Sequence, residues 1–266
     1  MAFEEELELA RRAVREAGDL ALANRRRTLD VSTKPDASPV TNADRDNEYL
    51  ITRMLSEAFP EDGLLGEEGG RRPARSGRQW IVDPIDGTRD FVRGIPFWAV
   101  LLGLEAGGDI VVGACRLPAL GETYYAARGS GAWRETASGG PERLHVAADI
   151  TEISRAVLCV TDADAMPAQP FAPRLVEFLS RFWTVRNTGG ALDAMLVASG
   201  RADVWLEPSA KPWDLAASKI IVEEAGGRFV NFDGGSSVYG GNCIACVPAL
   251  EAEMLQFVRS GSTIAP

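Results

Sequence analysis

Two aspartates separated by two residues provide the first chemical signal in this sequence. Asp83 and Asp86 follow a short apolar run, and Pro84 stands between them. Because proline has no N–H for a ladder hydrogen bond, we expect the strand to stop at Asp83 and both carboxylates to project from its rigid end. Proline also restricts the residue before it, which holds the two side chains in a set relation. Hard oxygen ligands of this kind favour Mg²⁺ or Mn²⁺ over zinc.

A glycine and a threonine directly after these aspartates indicate a phosphate site beside the metal site. Gly87 lets the backbone approach an anion closely, and the N–H groups of Gly87 and Thr88 point at a phosphate if they open a helix or tight turn. An Asp-Pro or Asp-Gly surface turn is the competing interpretation. The combination of two acids, a proline, a glycine and a threonine after an apolar strand favours the metal and phosphate site.

The segment Asp-Pro-Ile-Asp-Gly-Thr at residues 83–88 resembles the signature of the inositol monophosphatase superfamily, whose members are Mg²⁺-dependent, lithium-sensitive phosphomonoesterases. Further motifs of that family occur in the expected order. Gly-Glu-Glu lies upstream at residues 66–68, and Pro-Trp-Asp-Leu-Ala-Ala and Glu-Ala-Gly-Gly lie downstream at residues 212–217 and 224–227. The resemblance extends from about residue 34 to about residue 245, which is nearly the whole chain.

The resemblance implies a ligand set for two or three Mg²⁺ ions. One ion is bound by Glu67, Asp83 and the Ile85 carbonyl. A second is bound by Asp83, Asp86 and Asp214, so that Asp83 bridges the two. Four crowded carboxylates repel one another strongly without cations, and we therefore expect metal binding to be linked to folding or local order.

Two of the implied residues also have simpler structural explanations. Asp214 opens an amphipathic helical pattern after Pro212, where an aspartate caps a helix without any further function. Asp44 is an ordinary first-turn acid that the helix dipole favours. By resemblance, Thr88 contacts the nucleophilic water and Asp44 accepts from the Thr88 hydroxyl, so the implied catalytic residues are Thr88, Asp44 and Glu67.

The leaving group depends on positions outside this cluster. Residues 93–98, Arg-Gly-Ile-Pro-Phe-Trp, resemble the histidinol-phosphatase branch more than the inositol-specific members. Gly189 and Gly190 stand where histidinol phosphatases often show an aspartate, so that acid is missing. Glu207 matches the family's substrate-contacting acid, and a salt bridge at the rim of the site is its alternative interpretation. The implied substrate-binding residues are Gly87, Thr88, Gly189, Gly190, Glu207 and Asp214.

We expect L-histidinol phosphate to be the substrate, with Trp98 and nearby aromatic residues packing on its imidazole and Glu207 meeting its amine. Inositol 1-phosphate is the alternative substrate. Some relatives bind the transcription machinery, and such a role is a second class of function that could coexist with an intact site. The resemblance also suggests a homodimer.

Composition excludes several other classes of function. The formal net charge of −10 and the pI near 4.8 argue against general binding to nucleic acid, whose phosphates favour a basic face. Three arginines at residues 25–27 complement a helix C-terminus and are expected to be solvated. Without a long apolar stretch or a basic leader, we expect a soluble cytoplasmic protein with no membrane partner. Its partner would be a small phosphorylated metabolite.

Cysteine and histidine usage narrows the chemistry further. Cys243 and Cys246 have redox or zinc spacing, but the pair stands alone in an apolar run and predicts a buried strand. His145 is the single histidine, has no acidic or nucleophilic neighbour, and is expected on the surface of a strand. Acid–base work must then fall to carboxylates, hydroxyls and metal-bound water.

The elements that position these residues fall into two parts, an N-terminal α+β part with the metal and phosphate site (residues 1–150) and a C-terminal α/β part that completes the site (residues 151–266). Thr41 or Asn42 should cap the second helix. A polar loop is expected at residues 34–41. Expected helices span residues 4–23, 42–59, 173–181, 191–199 and 214–225. Expected strands span residues 97–104, 110–115, 123–127, 156–160, 202–206, 228–231 and 243–247. The resemblance implies an α/β/α/β/α sandwich of the inositol monophosphatase and fructose-bisphosphatase type.

Overall fold

The computed structural model describes residues 3–260. Its helices are α1 (Glu4–Arg25), α2 (Asn42–Ala58), α3 (Thr88–Arg93), α4 (Leu175–Leu179), α5 (Gly190–Ala198), α6 (Pro212–Glu224) and α7 (Glu251–Arg259). The first strands are β1 (Val31–Thr33), β2 (Pro39–Thr41), β3 (Gly63–Gly66), β4 (Arg71–Arg72), β5 (Arg78–Asp86), β6 (Ala99–Ala106), β7 (Asp109–Leu117), β8 (Glu122–Ala127), β9 (Ala132–Thr136) and β10 (Gly139–Arg143). The later strands are β11 (Val157–Val160), β12 (Thr184–Arg186), β13 (Val204–Glu207), β14 (Arg228–Val230) and β15 (Cys243–Cys246).

The strands form two large sheets and a separate β1–β2 hairpin. The order of the eight-stranded sheet is β10-β9-β8-β7-β6-β5-β3-β4, and β3 and β5 run parallel within it. The order of the five-stranded sheet is β12-β11-β13-β15-β14, and β11 runs parallel to both of its neighbours. Parallel neighbours end at the same edge of a sheet, so the residues that follow β3 and β5 lie together, as do those that follow β11 and β13.

The two sheets alternate with layers of helix. The helices α1 and α2 pack on each other and on the eight-stranded sheet, while α5 and α6 contact strands of both sheets. At the far side α7 contacts β15, and α4 packs on α7 with the Phe178 and Phe257 rings stacked 3.7 Å apart. The expected α/β/α/β/α sandwich is confirmed. The division of the chain near residue 150 stays a prediction. None of the described helices has the length and apolar character needed to cross a membrane.

Small residues allow α6 to lie directly on the eight-stranded sheet. A Cβ at Gly103 of β6 would lie 2.7 Å from the Ala216 Cβ, and a Cβ at Gly113 of β7 would collide with Ile220. Contacts this short do not occur between real side chains, so glycine is required at both positions. The close approach fixes the height of the first turn of α6, which carries Asp214, above β5.

Two structural predictions around the signature segment and the late helices were wrong. The strand β5 does not stop at Asp83 but continues through Pro84 to Asp86. Asp83 faces Leu101 and Asp86 faces Ala99, so β5 carries one extra residue here and forms a bulge. Pro84 lies within this break in the ladder, where its missing N–H costs no hydrogen bond. The helix expected at residues 173–181 is shorter, because a 3₁₀ turn precedes α4.

Several elements were not predicted. The expected polar loop at residues 34–41 contains β2 of the hairpin, and β1, β3, β4, β9, β10, β12 and α7 were also missed. His145 is exposed as expected but lies just beyond β10 rather than within a strand. Arg25 is not purely solvated, because its Nε donates to the Phe91 carbonyl at 3.2 Å. The cysteine prediction is confirmed, since Cys243 and Cys246 are buried, free thiols of β15.

Candidate active site

Every residue predicted as a catalytic group, a metal ligand or a member of the substrate-binding set, except Asp44, lines one cleft of about 510 Å³. The cleft lies where the ends of β3, β5, β11 and β13 meet the first turns of α3, α5 and α6. Its lining therefore comes from both halves of the chain. Asp44 lies behind it, fully buried in the first turn of α2.

Three aspartates form the centre of this cleft. Asp83, Asp86 and Asp214 each offer a carboxylate oxygen, and these three atoms lie within 4.8 Å of one another. In each carboxylate one oxygen accepts a hydrogen bond from a backbone N–H. The donors and distances are Ile85 to Asp83 at 3.0 Å, Ala191 to Asp86 at 2.9 Å and Lys211 to Asp214 at 2.7 Å. The backbone thus fixes each side chain before any ligand binds.

Burial and mutual repulsion raise the pKa values of these aspartates. The pKa of Asp83 is raised well above its usual range by burial and then by the charges of Glu67, Asp86 and Asp214. Burial also raises the pKa of Asp86 to about 6, and burial with the charge of Asp86 raises that of Asp214 to about 8. Among residues 3–260 no lysine or arginine forms an ion pair with these three aspartates. A cluster of hard oxygens without its own cation fits Mg²⁺.

Glu67, the fourth predicted carboxylate, lies in the same cleft but outside the group of three. Its Oε1 accepts from the Lys34 Nζ at 2.7 Å, and the same ammonium donates to Glu68 at 2.6 Å. Burial lowers the pKa of Lys34, but the hydrogen bonds and charges of Glu67 and Glu68 outweigh it and raise the pKa. The Glu48 carboxylate holds this turn by accepting from the Glu68 and Gly70 N–H groups at 2.8 and 2.7 Å.

Asp44 both caps α2 and contacts Thr88, because each of its carboxylate oxygens makes one of these interactions. Its Oδ2 accepts from the N–H and hydroxyl of Thr41 at 2.8 and 2.6 Å, which completes a capping box and identifies Thr41 as the N-cap. Its Oδ1 lies 3.2 Å from the Thr88 Oγ1. The Ile85 carbonyl lies 3.1 Å from the same hydroxyl, whose single proton serves one acceptor at a time. Asp44 is thus placed to accept from Thr88.

Asp214 caps a helix and also belongs to the group of three aspartates. It occupies the third position of α6, where one carboxylate oxygen binds the Lys211 N–H and so caps the helix. The side chain nevertheless reaches the other aspartates of the cleft. Capping is therefore the means by which this carboxylate is fixed, since the hydrogen bond occupies one oxygen and leaves the second for a ligand.

Gly87 provides the start of α3 as the sequence predicts. It is the N-cap of this six-residue helix, and its φ of 80° lies in the left-handed region that favours glycine. The Phe91 N–H donates to the Gly87 carbonyl at 2.9 Å and closes the first turn. Gly87 and Thr88 line the cleft together with the three aspartates.

The leaving-group side contradicts two expectations. Trp98 does not line the cleft, because it is fully buried in the core beneath α1 and α2, edge-on to Phe91 at 4.9 Å. Its neighbour Phe97, which like Trp98 precedes β6, lines the cleft instead. A salt bridge of Glu207 at the rim is also excluded within the described residues. Glu207 is 4% exposed, accepts from the Ser209 N–H at 3.1 Å, and has its pKa raised to about 9 by burial and the charge of Asp162.

Sequence reasoning missed several residues of this cleft. Asp162, which has a φ of 46°, follows Thr161 at the end of β11, and Trp205 lies two positions before Glu207 on β13. Alternation along a strand could have found Trp205, since it shares a face with Glu207. No local signal could have found Asp162, because the pairing of β11 with β13 brings it to the cleft. Further unpredicted lining residues are Arg89, Asp90 and Asp164.

A layered α/β/α/β/α fold around a carboxylate cluster defines the class of protein, and the chain belongs to the inositol monophosphatase family, whose model matches residues 3–260. The chain is 41% identical over 233 residues to the histidinol-phosphatase of Mycobacterium tuberculosis, covering 88% of this chain and 89% of that protein. It is 35% identical over 263 residues to the Nus factor SuhB of Haemophilus influenzae, covering 95% of each. The solved structure of Thermotoga maritima IMPase superposes with a TM-score of 0.85 at 30% identity, covering 97% of this chain and 98% of that one. These relatives support a phosphoric monoester hydrolase.

Proposed function

We propose that this protein is a Mg²⁺-dependent phosphomonoesterase that hydrolyses L-histidinol phosphate. The observation that carries the proposal is the group of three aspartates, each tied by one oxygen to the backbone and without a cation of its own. In the proposed site Glu67, Asp83, Asp86, Asp214 and the Ile85 carbonyl hold two or three Mg²⁺ ions. The bound metal would neutralise the phosphoryl oxygens, acidify a water and stabilise the leaving alkoxide.

The chain's own residues would orient the attacking water. When the Thr88 hydroxyl donates its proton to Asp44, its lone pairs are free to accept a hydrogen bond from a water in the cleft. Burial raises the pKa of Asp44 although Thr41 and Thr88 donate to it, so this carboxyl is prepared to receive a proton. The N–H groups at the start of α3 would bind a phosphoryl oxygen.

The charge of the leaving-group side favours an amine-bearing alcohol. Glu207 is buried without a paired cation among the described residues, and Asp162 lies in the same cleft and raises its pKa. A bound ammonium group would favour the ionised form of Glu207 and pair with it, whereas inositol has no positive charge to offer. Phe97 places aromatic surface in the same cleft for an imidazole ring. The resemblance to histidinol-phosphatase points in the same direction.

A panel of phosphomonoesters tests the proposal. The wild type should release phosphate from L-histidinol phosphate with a higher kcat/KM than from inositol 1-phosphate, because discrimination must arise in the leaving-group pocket. Glu207→Gln should lower kcat/KM for histidinol phosphate by roughly ten- to a hundredfold, the cost of about 1.5–3 kcal/mol for one charged contact, and barely change turnover of a neutral aryl phosphate. Turnover of inositol 1-phosphate at least tenfold better than histidinol phosphate would replace the substrate assignment.

Metal dependence is tested separately. Dialysis against a chelator should abolish phosphate release, Mg²⁺ should restore it, and lithium should inhibit it, as the resemblance implies. Full activity after verified metal removal would contradict the mechanism. The homodimer implied by the resemblance and the cytoplasmic location expected from the sequence belong to the same proposal.

A role beside the transcription machinery is the second candidate, supported by the 35% identity to the Nus factor SuhB. Affinity capture from a lysate with wild-type protein and with Asp83→Asn separates the two. Recovery of RNA polymerase by both proteins, together with an absence of phosphatase activity in the wild type, would favour this candidate.

A further inference from the structure

A buried aspartate beside the cleft has no part in the proposed reaction. Asp193 lies in the first turn of α5, is 0% exposed and is the one acid of an otherwise apolar helix. Burying a carboxylate is costly unless its oxygens receive hydrogen bonds or a cation. Burial raises the pKa of Asp193, and the groups that oppose this shift are hydrogen-bond donors, namely the side chains of Thr188, Thr161 and Cys159 and the Gly189 N–H. Hydrogen bonds must therefore hold it in place.

Two hydroxyl groups approach this carboxylate, one at each oxygen. The Thr161 Oγ1 donates to Oδ2 at 3.0 Å, and the Thr188 Oγ1 makes a short contact with Oδ1. The Trp205 Nε1 in turn donates to the Thr161 Oγ1 at 2.7 Å. An indole N–H can only donate, so the single proton of the Thr161 hydroxyl is left for Asp193. Hydrogen-bond donation therefore runs from Trp205 through Thr161 to residue 193, so residue 193 must offer an acceptor.

These partners come from separate elements that together form one wall of the cleft. Thr161 follows β11, Thr188 precedes α5 and Trp205 lies in β13. Thr161 and Trp205 line the cleft on the side of Glu207. Without a common acceptor, nothing in this chain of bonds ties the end of β11 to the turn before α5.

The Asp193 carboxylate also restrains the turn of two glycines at the start of α5. Gly189 and Gly190 line the cleft with φ values of 93° and 38°, so the turn between Thr188 and the helix relies on glycine in the left-handed region. A turn of two glycines has little intrinsic preference for one conformation. The contact of Thr188 with Asp193 holds the chain directly before that turn.

We propose that Asp193 is a positioning residue that fixes the leaving-group wall of the cleft through Thr161 and Thr188. The inference rests on the proposed function, because this wall matters for binding when the alcohol part of a phosphomonoester lies against it. Two of the metal-cluster aspartates, Asp83 and Asp214, are fixed by backbone groups outside α5. Loss of the carboxylate at Asp193 should therefore weaken alcohol binding far more than Mg²⁺ or phosphate binding.

Asp193→Asn tests the proposal, because the amide keeps the shape but replaces one acceptor oxygen with a donor. We expect KM for histidinol phosphate to rise by roughly tenfold, the effect of losing one hydrogen bond to a charged group, with kcat changed less than about threefold. The inhibition constant of inorganic phosphate and the Mg²⁺ half-saturation should change less than about twofold. Asp203→Asn is the matched control. Asp203 is 4% exposed and accepts from the Val157 N–H at 2.7 Å, at the opposite end of the same strands.

A parallel rise in KM, in the inhibition constant of phosphate and in the Mg²⁺ half-saturation would mean that Asp193 only stabilises the fold and would overturn the proposal. If Asp193→Asn leaves KM and the other two constants unchanged, the proposal is likewise overturned. If that variant does not fold, Thr161→Val carries the test. It keeps the volume at the position and leaves Asp193 in place, and it should reproduce the selective rise in KM.

A binding measurement separates this proposal from the proposed function. The indole N–H resonance of Trp205, assigned by its absence in Trp205→Phe, should shift when the alcohol histidinol is titrated into the wild type. The dissociation constant of histidinol should rise by roughly tenfold in Asp193→Asn and stay constant in Asp203→Asn. Binding of histidinol without release of phosphate from any monoester would contradict the proposed function and leave the role of Asp193 standing. No response of the Trp205 resonance to histidinol in the wild type would overturn the role of Asp193.

Discussion

At the scale of single residues, the cleft uses ordinary structural hydrogen bonds to fix groups that could do chemistry. The carboxylate of Asp44 caps α2 with one oxygen and meets Thr88 with the other. Asp214 caps α6 in the same way. A cap and a functional ligand are therefore not alternatives at these positions, since a carboxylate has two oxygens and the cap needs one. The cap removes the rotational freedom that a ligand site would otherwise have to restrict on binding.

The proposed bridging role of Asp83 predicts an unequal effect of two substitutions. Asp83→Asn should lose far more activity than Thr88→Ala, because the proposed carboxylate would support two cations, whereas a hydroxyl that orients water contributes roughly 10²–10⁴-fold at most. Steady-state kinetics at saturating Mg²⁺ gives the comparison, with thermal unfolding as the control that both variants fold. Near-normal turnover of metal-loaded Asp83→Asn would mean that another residue bridges.

The buried acid Glu207 predicts a pH-dependent stability of the metal-free protein. Its pKa is raised from 4.5 to about 9, so the folded state keeps a proton that the unfolded state releases. This contribution is fully present below the unfolded pKa and is lost as pH rises through the folded pKa. Thermal unfolding in chelator should therefore show wild-type Tm falling between about pH 5 and pH 9, and falling less in Glu207→Gln. Parallel Tm profiles of the two proteins would show that Glu207 is ionised in the fold.

At the scale of elements, local patterns predicted most of the helices, though not α7, and the order of the central strands, and long-range pairing determined the rest. The helices α1, α2 and α6 were placed within a few residues because their apolar spacing and caps are local. The continuation of β5 through Pro84 was missed because the bulge opposite β6 is a property of two strands. The burial of Trp98 was missed because it depends on tertiary packing, since this indole lies just before β6 and packs edge-on to Phe91 in the core beneath α1 and α2.

The contact between α6 and the eight-stranded sheet predicts a link between packing and metal binding. Gly103→Ala places a Cβ 2.7 Å from that of Ala216, two residues beyond Asp214, and should push the first turn of α6 outward. Overpacking of this kind costs roughly 1–3 kcal/mol of unfolding free energy. We expect a lower unfolding midpoint in urea and a weaker Mg²⁺ half-saturation together. Gly140→Ala is the control, because no atom lies within 4 Å of the added Cβ. Loss of stability at unchanged Mg²⁺ half-saturation would show that Asp214 tolerates the displacement.

At the scale of the whole molecule, the cleft depends on both halves of the chain. Asp83 and Asp86 come from β5, while Asp214 and Glu207 come from elements beyond residue 200. The motifs for these residues were visible in the sequence because each lies at the end of an element. Their convergence was implied by the resemblance rather than by the residues, and the order of strands in two sheets produces it. A cation bound at the aspartates would tie the two halves together.

Metal binding should therefore stabilise the fold, and more strongly at higher pH. A ligand that binds the folded state at tenfold above its Kd contributes about 1.4 kcal/mol, which corresponds to a Tm rise of roughly 2–4 °C for a chain of this size. Without metal the pKa of Asp86 is raised to about 6 and that of Asp214 to about 8, so protons compete with Mg²⁺ below these values. As pH rises, both carboxylates ionise, their repulsion destabilises the metal-free fold, and Mg²⁺ binds more tightly.

Scanning calorimetry with and without Mg²⁺ should show a larger Tm increase at about pH 8.5 than at about pH 6. In Asp214→Asn both the increase and its pH dependence should shrink. An equal Tm increase at both pH values, or one retained in Asp214→Asn, would place the stabilising cation away from these aspartates.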